Sequence, residues 1–583
     1  MNFLKDLPVL ILGLGDSGLA MARWCARCGA QVTVWDSREQ TAGDAALAAE
    51  WPAAQRIGGE LLPSQLSGVM LVLKSPGLAP TDARVAPLLD EARAIGIAVL
   101  GELDLFVRAL ADLKTAWAYA PQLLAITGTN GKTTTTAMTA LLVARAGRRV
   151  AVAGNIGPTL LGTLNALLVE LPAPPTQAAP ADEALPAVEA DDEPEAVAED
   201  ATGTAPAMLP DDDAPVPDVL AALLSAAEPA AGPDAEPDAE PDATDALPQV
   251  WVLELSSFQL EGGGTGVRGF EPAAATVLNI TQDHLDWHGT LAAYTAAKAR
   301  VFGSHGAMVI NHDDAAVEAM VPLPVSVKGK VRPKPITRSI VRFSLDAPRR
   351  PGDFGLVTEG GMAWLVRALP ADETVRRKKD EAEEIHLQRL MPADALRVRG
   401  RHNAANALAA LALATAIGCP LAPMLHGLRD YAGEPHRVAF ITRVGDVEAF
   451  DDSKGTNVGA TVAALNGLGA DKAPGQLIVI LGGDGKGQDF TPLREPLSQH
   501  ARAVATIGRD AAAIEAMLGP VPFQRHETLE AAVAWCFEQA RPGDAVLLSP
   551  ACASLDMFRN YTHRADVFVQ AVQAVAAERG ALA

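Results

Sequence analysis

The chain has 583 residues, enough for about three or four domains of ordinary size. It carries 71 acidic and 48 basic residues, a net charge of −23, which argues against nucleic-acid binding because that function normally needs a basic surface. The charge is local, however. Residues 171–250 hold 20 Asp and Glu and no Lys or Arg, whereas the other 503 residues hold 51 acidic and 48 basic residues.

The cysteine content and the hydropathy pattern exclude two further classes. Five cysteines in so long a chain argue against a disulfide scaffold, and the Cys25-x-x-Cys28 pair has no second pair or His cluster to complete a zinc site. The first residues, MNFLKDLPVLILGLG, lead into a glycine loop and do not resemble a signal peptide. No run of 18 apolar residues occurs, so we expect no membrane insertion and a cytoplasmic protein.

Residues 171–249 stand apart from the rest of the chain. They consist mostly of Ala, Pro, Asp and Glu, with repeats such as PDAEPDAEPDA. Such a composition buries too little apolar surface to offset chain entropy, which predicts a disordered acidic insert. The run DVLAALLSAA at 218–227 predicts a short helix within it. Solubility and the docking of an unknown partner are both open roles for this segment.

Elsewhere, short apolar runs alternate with helical patterns. Examples of the runs are PVLILGLG, QVTVWD, LLAITGTNG, VWVLELSS, ATVLNIT, QLIVILGGDG and DAVLLSP. A repeated strand–helix alternation predicts an α/β fold with parallel sheets. In such sheets ligands bind at the carboxyl ends of the strands, so functional residues should follow strands.

The first glycine-rich motif follows the strand PVLIL. Gly13-Leu14-Gly15-Asp16-Ser17-Gly18 is a GxGxxG pattern that opens a helix, and Asp36 ends the next strand. The pattern predicts a dinucleotide or a nucleotide diphosphate at the helix N-terminus, with NAD as one possibility. The loop Lys74-Ser75-Pro76-Gly77 follows another strand and could close over the same ligand.

The second glycine-rich motif is more specific. Gly128-Thr129-Asn130-Gly131-Lys132-Thr133-Thr134 lies between the strand LLAIT and a helix. In the standard P-loop pattern GxxxxGK[ST], the first glycine would fall at position 126, which is Ile in this sequence. The glycine-rich loop is therefore shorter than the standard one, but it can bind phosphate in the same way. Backbone N–H groups cradle phosphates, Lys132 neutralises the terminal phosphates, and a hydroxyl group reaches Mg²⁺.

Three further polar residues come at or soon after strand ends. Glu254 ends the strand of VWVLELSS, His284 follows the strand of ATVLNIT, and Lys298 lies in a helix shortly beyond. A carboxylate suits Mg²⁺, which takes oxygen ligands, whereas a lone His or Lys would by itself more often be structural.

Together the motifs make a resemblance specific. GTNGKTT, GNIG, LELSSFQLE, TQDHLDWH, YTAAKARVF, GRHNAANALAA, PHR, DDSKGTN, GGDGKGQDF and LSPACASLDMF occur in the order seen in the Mur ligase family. The set is most similar to the branch that adds D-glutamate. The resemblance covers nearly the whole chain except the acidic insert and two charged stretches, 322–355 and 366–390, which we interpret as additions or variable hairpins.

The resemblance implies three α/β domains. Residues 1–110 would form a Rossmann-like UDP-binding domain. Residues 111–432 would form a central P-loop ATPase-type domain that contains the insert at 171–249. Residues 433–583 would form a Rossmann-like C-terminal domain that binds D-glutamate and contributes to the ATP site.

The resemblance also implies a reaction. The family joins the carboxylate of UDP-N-acetylmuramoyl-L-alanine to the amine of D-glutamate in peptidoglycan precursor synthesis. ATP is converted to ADP and phosphate through an acyl phosphate. Two Mg²⁺ sites and a CO₂-derived carbamate on Lys298 would assist, and we expect a monomer.

The family's site residues carry over onto matching positions. The catalytic group would be Lys132, Glu254, His284, Lys298 and Arg437. The metal ligands would be Thr133, Glu254, His284 and Lys298 as its carbamate. ATP would be held by Gly128, Thr129, Asn130, Gly131, Lys132, Thr133, Thr134, Asn403, Asn406, Arg437, Asp452 and Lys454.

The two other substrates have their own sets. The UDP substrate would be held by Leu14, Asp16, Ser17, Asp36, Ser37, Arg38, Ser75, Gly77, Asn155 and His284. D-glutamate would be held by Thr456, Lys486, Ser554, Leu555 and Tyr561. Tyr561 stands where the family commonly has an aromatic residue, often Phe, so its hydroxyl needs water or a partner.

Three alternatives remain at this point. Another Mur ligase or a folylpolyglutamate synthase shares the P-loop and the domain order, but the DNPR signature of the diaminopimelate-adding relative does not occur. A nicotinamide-dependent oxidoreductase would use the GxGxxG but leaves the P-loop, Glu254 and Lys298 without a role. A non-catalytic ATP-binding scaffold would not need Lys132, His284 and Arg437.

Overall fold

The computed structural model describes residues 2–155, 157–169, 243–264, 266–323, 338–371, 384–398 and 400–580. Over these ranges the chain forms three β-sheets, one after another along the sequence, with helices packed on them. The predicted three-domain α/β fold is confirmed. Within the same ranges no helix is both long enough and apolar enough to cross a membrane.

The first sheet has five parallel strands in the order β3-β2-β1-β4-β5. Its strands are β1 (Pro8–Leu12), β2 (Gln31–Trp35), β3 (Gln55–Ile57), β4 (Leu71–Lys74) and β5 (Ala98–Leu100). Its helices are α1 (Asp16–Arg27), α2 (Ala42–Glu50), α3 (Ala86–Ala94) and α4 (Glu102–Trp117). Because the strand order reverses between β1 and β4, the loops after these two strands flank a crevice at the carboxyl edge. Helix α4 runs through residue 110, and the boundary there stays a prediction.

The second sheet has nine strands in the described residues, in the order β14-β13-β12-β11-β10-β9-β6-β8-β7. The strands are β6 (Gln122–Thr127), β7 (Val150–Gly154), β8 (Val250–Glu254), β9 (Ala274–Val277), β10 (Ala307–Asn311), β11 (Ile340–Phe343), β12 (Phe354–Glu359), β13 (Met362–Pro370) and β14 (Ile385–Pro392). Strands β12, β13 and β14 pair antiparallel at one end, and the other pairs are parallel. Because β6 lies between β8 and β9, the loops after these three strands are neighbours.

Helices cover this central sheet. They are α5 (Lys132–Arg145), α6 (Leu160–Val169), α7 (Ser257–Glu261), α8 (Leu285–His288), α9 (Leu291–Ala299), α10 (Ala315–Glu318), α11 (Arg401–Ala416) and α12 (Leu421–Asp430). The charged stretches 322–355 and 366–390 contribute to β11 through β14, apart from residues 324–337 and 372–383, which lie outside the described ranges.

The third sheet has the order β15-β16-β20-β17-β18-β19, and only its β15–β16 pair is antiparallel. Its strands are β15 (Ala439–Val444), β16 (Val447–Asp451), β17 (Leu477–Gly482), β18 (Ala501–Ile507), β19 (Phe523–Arg525) and β20 (Ala545–Leu548). Its helices are α13 (Val458–Lys472), α14 (Arg494–His500), α15 (Ala511–Met517), α16 (Leu529–Gln539) and α17 (Tyr561–Glu578).

One apolar cluster joins the first sheet to the central sheet. Strand β8 is buried along its whole length, as its apolar run VWVL requires in a sheet covered on both faces. Phe106 of α4 meets Trp251 of β8 edge-on, with 4.9 Å between ring centroids. The Trp251 indole donates to the Tyr119 hydroxyl (2.9 Å), which donates to the Pro248 carbonyl (2.7 Å). The two domains are therefore held by apolar contact with satisfied polar tips.

Residues 243–249 correct the predicted limit of the acidic insert. The prediction that disorder extends to residue 249 is wrong, because Ala243–Ala246 form a 3₁₀ turn and Leu247 is buried in the apolar cluster. The remainder of the predicted insert, including the run at 218–227, lies outside the described residues.

Replacing residues 172–242 by a short Gly/Ser loop tests whether this segment supports the fold. Helix α6 returns from the carboxyl edge of the sheet, so the connection to β8 starts at the opposite edge. We expect the melting temperature to stay unchanged or to rise, because closing a shorter loop loses less entropy, up to about 2 kcal/mol. Thermal unfolding of the deleted and full chains measures this. A fall of many degrees in the deleted chain would show that the segment makes stabilising contacts.

Candidate active site

The loop between β6 and α5 is shaped to bind phosphate. Gly128 and Gly131 have φ values of +153° and +82°, which residues with a side chain rarely adopt. A Cβ atom on Gly131 would lie 2.7 Å from Oδ1 of Asn406. The Nζ atom of Lys132 donates to the carbonyl oxygens of Gly128 (3.1 Å) and Thr129 (2.9 Å), which holds its charge against the loop. Loop and helix N-terminus together can therefore bind an anion.

Residues that follow β9 hold this loop in place. The Asn130 N–H donates to Oδ1 of Asn279 (2.8 Å), and Nδ2 of Asn279 donates to the Asn130 carbonyl (3.0 Å). The Thr129 hydroxyl lies 3.2 Å from the Tyr294 hydroxyl. Asn279 and Tyr294 were not predicted from the sequence as supports of the loop. The position of Asn279 just beyond a strand was the available signal.

The structure places Lys298 against the same loop. Lys298 lies on α9 and only 2% of its surface is exposed. Its Nζ atom donates to the Gly128 carbonyl (2.9 Å) and to Oγ1 of Thr127 (3.3 Å), and it lies 4.7 Å from the centroid of the Tyr294 ring. Lys132 and Lys298 therefore share one carbonyl oxygen.

Two like charges this close affect one another, and only the Lys298 amine is fully buried. Burial and the charge of Lys132 lower the pKa of Lys298 well below its ordinary value, while Asp283 and Glu254 act in the opposite direction. The environment thus favours a neutral amine at Lys298. Asp283, which directly precedes His284, is therefore a further acidic residue of this site. It was not selected from the sequence.

Glu254 and His284 come from the two strands that flank β6. Glu254 is the last residue of β8, with 1% of its surface exposed, and its carbonyl accepts the N–H of Asn155 (2.8 Å). His284 has a φ of +51°, its Nε2 atom lies 3.6 Å from Oδ2 of Asp283, and its ring centroid is 4.7 Å from that of Phe258. The predicted carboxylate and imidazole therefore flank the phosphate loop.

The third domain reaches the phosphate loop through two side chains. The guanidinium of Arg437 donates to Oγ1 of Thr133 (2.5 Å), and Nδ2 of Asn457 donates to Oδ1 of Asn130 (3.2 Å). His436, the residue before this arginine, has a φ of +62°, so the backbone turns sharply there. The structure therefore brings Arg437 to the loop, 304 residues away from Thr133 in sequence.

A cavity of about 810 Å³ opens beside Arg437, between the central and third domains. Among the residues that line it are Asn403, Glu434, Arg437, Phe440, Phe450 and Lys472. Asn403 accepts a hydrogen bond from Nδ2 of Asn406 (3.1 Å), which connects the cavity wall to the phosphate loop. A cavity of several hundred Å³ is sufficient for a nucleoside.

Asp452 and Lys454 lie on the loop after β16. Oδ2 of Asp452 accepts from the Ser549 hydroxyl (2.6 Å). Burial raises the pKa of Asp452 to about 7, against the opposing effects of Ser549 and Arg437. The Nζ atom of Lys454 lies 4.0 Å from the centroid of the Tyr561 ring, so these two predicted ligands of different substrates are neighbours.

The residues predicted to hold D-glutamate follow three adjacent strands, β16, β20 and β17. They are Thr456, Ser554, Leu555 and Lys486, with Tyr561 at the start of α17. The Ser554 hydroxyl is buried and has no hydrogen-bond partner among the described residues. Arg564 was not predicted from the sequence, and its buried guanidinium donates to the carbonyls of Ser453 (2.9 Å) and Cys552 (3.1 Å). It joins the loops after β16 and β20.

The residues predicted to hold the UDP substrate follow β1, β2 and β4 at the carboxyl edge of the first sheet, in loops and at the start of α1, and follow β7 in the central sheet. They are Leu14, Asp16 and Ser17; Asp36, Ser37 and Arg38; Ser75 and Gly77; and Asn155. Asp36 accepts the N–H of Leu14 (2.8 Å) and two bonds from the Arg38 guanidinium (2.9 Å each). Burial acts to raise the pKa of Asp36, but these hydrogen bonds outweigh it and lower the pKa to about 2. Asp36 therefore also braces the glycine loop.

Glu102 was not predicted, because an acidic residue in the first turn of a helix, as in GELDLF, is common and does not by itself indicate a special role. It begins α4, has 2% of its surface exposed, and its Oε1 atom accepts the N–H of Leu161 in α6 (2.9 Å). Burial raises the pKa of Glu102 to about 7, opposed by hydrogen bonds from Leu161 and Ser17. Glu102 thus joins the glycine loop of the first domain to the helix that follows the Asn155 loop.

The fold and this site define a class. A phosphate-binding loop in a central sheet, a glycine-loop domain before it and an arginine supplied by a third domain are the parts of an α/β enzyme that acts on nucleotide phosphates. Three family models match the chain in the same order. They are the Mur ligase MurD-like N-terminal domain at 8–101, the Mur ligase middle domain at 241–330, and the Mur ligase glutamate ligase domain at 436–552.

Curated relatives match the whole chain. One from Albidiferax ferrireducens, named UDP-N-acetylmuramoylalanine--D-glutamate ligase, is 54% identical and covers 100% of this chain and 99% of that protein. A protein of the same name from Polaromonas is 50% identical and covers 100% of each chain. Another from Ralstonia nicotianae is 50% identical and covers 98% of each. The chain belongs to the Mur ligase family.

A solved structure agrees in fold. The MurF ligase from Thermotoga maritima in complex with ADP matches with a TM-score of 0.50 and 12% identity, covering 99% of this chain and 100% of that one.

The buried Glu102 generates a pH-dependent prediction. Because its pKa is raised from 4.5 to about 7 in the folded protein, its contribution to stability is complete below pH 4.5 and is lost as the pH rises through 7. Glu102→Gln keeps the acceptor for Leu161 but does not titrate. Between pH 5 and pH 8 the variant should therefore gain about 2 to 3 kcal/mol in free energy of unfolding relative to the unsubstituted protein.

Urea unfolding at the two pH values measures this difference. Glu91→Gln is the matched control, because this side chain is exposed on α3. A pH dependence identical in the two variants would contradict the assigned environment of Glu102.

Proposed function

We propose that this protein is an ATP-dependent amide ligase that adds D-glutamate to UDP-N-acetylmuramoyl-L-alanine in peptidoglycan precursor synthesis. The observation that carries the reaction type is the meeting of Lys132, Lys298 and Arg437 at one phosphate-binding loop. The choice of substrates is supported by the name shared by relatives that are 50–54% identical over the full chain.

The chemistry explains the need for positive charge at this loop. A carboxylate is a poor electrophile, so one of its oxygens first attacks the γ-phosphorus of ATP, and ADP leaves with the bonding electrons. The amine of D-glutamate then attacks the carbonyl carbon of the acyl phosphate, the bond to phosphate breaks, and the nitrogen loses a proton. Several anions meet at one point in both steps, so catalysis is mainly positioning and neutralisation of charge.

The phosphate loop and Arg437 hold ATP in this scheme. The backbone of Gly128–Thr134 takes the phosphates, with Lys132 at the terminal ones. Arg437 lies against Thr133 and approaches the phosphates from the third domain. It therefore links ATP binding to the position of the domain that carries the D-glutamate residues.

The residues at this point fit Mg²⁺. The donors are the Thr133 hydroxyl, the buried carboxylate of Glu254 and the imidazole of His284, and oxygen-rich sets of this kind suit the ion. No three His, Cys, Asp or Glu side chains converge as a ready cluster in the described part of the chain. Mg²⁺ is held in proteins largely by one or two carboxylates, water and substrate phosphates, so such a cluster is not needed. When bound, the ion neutralises charge on the phosphates.

Lys298 fits the carbamate expected for the family. Carbamylation needs a neutral amine, and burial beside Lys132 favours that form. The modification would convert the amine into a two-oxygen ligand, which would serve a second Mg²⁺ together with His284.

The nucleoside of ATP would occupy the cavity at the junction of the central and third domains. Asn403 lines the side of this cavity nearest the phosphate loop, and Asn406 is hydrogen-bonded to Asn403. Asn406 would lie at the adenine. Asp452 would accept from the ribose hydroxyls, with Lys454 beside it.

The other two substrates would converge on the phosphates from opposite sides. The UDP substrate would occupy the crevice of the first sheet, with Asn155 and His284 at its muramoyl end. D-glutamate would bind Thr456, Lys486, Ser554, Leu555 and Tyr561 in the third domain, where the unsatisfied Ser554 hydroxyl offers one hydrogen bond. The monomeric state, the cytoplasmic location and the docking role of the insert stay predictions.

Phosphate release tests the function. The protein with Mg²⁺, ATP and UDP-N-acetylmuramoyl-L-alanine should release phosphate in an amount that depends on D-glutamate, because the amine completes the turnover. L-glutamate, L-lysine and diaminopimelate are the comparison amines. Release that is independent of D-glutamate, or equal with another amine, would overturn the proposal.

Lys298→Ala tests the carbamate. We expect a loss of at least about a hundredfold in kcat, because a buried metal-binding group is removed. A short carboxylic acid such as acetate should restore part of the activity in this variant while leaving the unsubstituted protein unchanged.

Lys114→Ala, an exposed lysine on α4, is the matched control and should retain full turnover with and without acetate. Full activity in Lys298→Ala would contradict any role for the carbamate.

A further inference from the structure

A buried lysine with no role in the scheme above lies at the crevice of the first domain. Lys74 ends β4 and has 3% of its surface exposed. Its Nζ atom donates to the carbonyls of Leu78 (2.8 Å) and Ser75 (3.3 Å). The loop from Ser75 to Leu78 is therefore wrapped around this ammonium group, and the same loop carries the predicted UDP-substrate residues Ser75 and Gly77.

The same ammonium group also faces the central domain. It lies 5.2 Å from the centroid of the Trp287 ring, within the range of a cation–π interaction. The Trp287 indole N–H donates to Oε2 of Glu261 at the end of α7 (3.1 Å). The negative charge of Glu261 opposes the effect of burial, which lowers the pKa of Lys74 to about 8.

Aromatic contacts continue from Trp287 to the candidate metal site. The Trp287 ring lies 4.1 Å, between centroids, from Phe258 of α7. The Phe258 ring lies 4.7 Å from that of His284. Lys74 is thus connected through two aromatic rings to the imidazole predicted to contact both metal and substrate.

The two domains have little room to adjust beside this contact. A Cβ atom on Gly263, which follows α7, would lie 1.7 Å from the Val99 carbonyl of β5. A Cβ atom on Gly262 would lie 3.0 Å from Oδ2 of Asp104. Arg93 also donates to the Gly263 carbonyl (3.3 Å). These contacts hold the β5 edge of the first sheet close to the residues that follow α7.

We propose that Lys74 is a positioning residue that fixes the Ser75–Leu78 loop against Trp287 and thereby sets the affinity for the UDP substrate. It acts through its loop and does not touch the reacting atoms. Two of the three N–H groups of the Lys74 ammonium donate to loop carbonyls, and the face of the Trp287 indole stabilises its positive charge on the remaining side. A neutral side chain of the same length would keep the apolar packing but would release both the loop and the indole.

The proposal rests on the proposed function, and Lys74→Met, Trp287→Leu and the double variant test it. The Michaelis constants for UDP-N-acetylmuramoyl-L-alanine, ATP and D-glutamate are measured by phosphate release, and the dissociation constant of the UDP substrate by calorimetry. Lys114→Met replaces an exposed lysine in α4 and is the matched control.

Each single variant should raise the KM and the Kd for the UDP substrate by about fivefold to tenfold, with kcat and the KM for ATP within twofold. The double variant should be less impaired than the product of the two single effects, because both substitutions remove the same contact between Lys74 and Trp287. Lys74→Arg should recover part of the affinity.

The proposal is overturned if the UDP-substrate constants stay within twofold of those of Lys114→Met, or if all three KM values rise together. Should Lys74→Met fail to fold, Trp287→Leu decides by the same criteria. A protein without turnover would reject the ligase function, whereas the calorimetric comparison would still decide the role of Lys74.

Discussion

Two ammonium groups donate to one carbonyl oxygen, that of Gly128, and the surrounding site depends on how their charges are balanced. Lys132 lies 3.1 Å and Lys298 lies 2.9 Å from this oxygen, so their nitrogens are within roughly 6 Å of each other. Two such charges repel by about 3 kcal/mol at the effective dielectric of a protein. Neutralisation of Lys298, nearby carboxylates or bound phosphates each relieve this repulsion. The loop is therefore built to be completed by anions.

This balance needs groups from three neighbouring strands at one edge of the central sheet. Gly128 follows β6, Glu254 ends β8, and Asp283 and His284 follow β9. The contact with the first domain continues the apolar core, whereas the third domain reaches the phosphate loop through hydrogen bonds of Arg437 and Asn457 and borders the cavity of about 810 Å³. Polar domain contacts of this kind allow relative motion more readily than apolar ones. Closure during turnover is therefore expected between the central and third domains.

The position of motifs relative to strands predicted the fold and the clustering of Lys132, Glu254 and Lys298, because parallel strands bring their carboxyl ends together. The assignment of ligands to these residues stays a prediction. Other residues had no local signal. The roles of Glu102, Arg564 and Lys74 come from contacts with residues elsewhere in the chain: the Leu161 N–H, the carbonyls of Ser453 and Cys552, and the Trp287 ring. No sequence pattern indicates that such residues will meet. Leu247 looked like part of the acidic insert, since composition cannot show that one apolar residue reaches a core.

The net charge of −23 has a different meaning once the two ends of the insert are located on the fold. The described chain stops at Val169, the end of α6, and resumes at residue 243, shortly before β8 begins. Strand β8 has five residues, so it carries the chain about 16 Å toward Glu254. That length exceeds the Debye length of about 8 Å at physiological ionic strength. The described ends on either side of the acidic segment thus lie more than one Debye length from the phosphate loop, so charge at these ends acts only weakly on anions bound there.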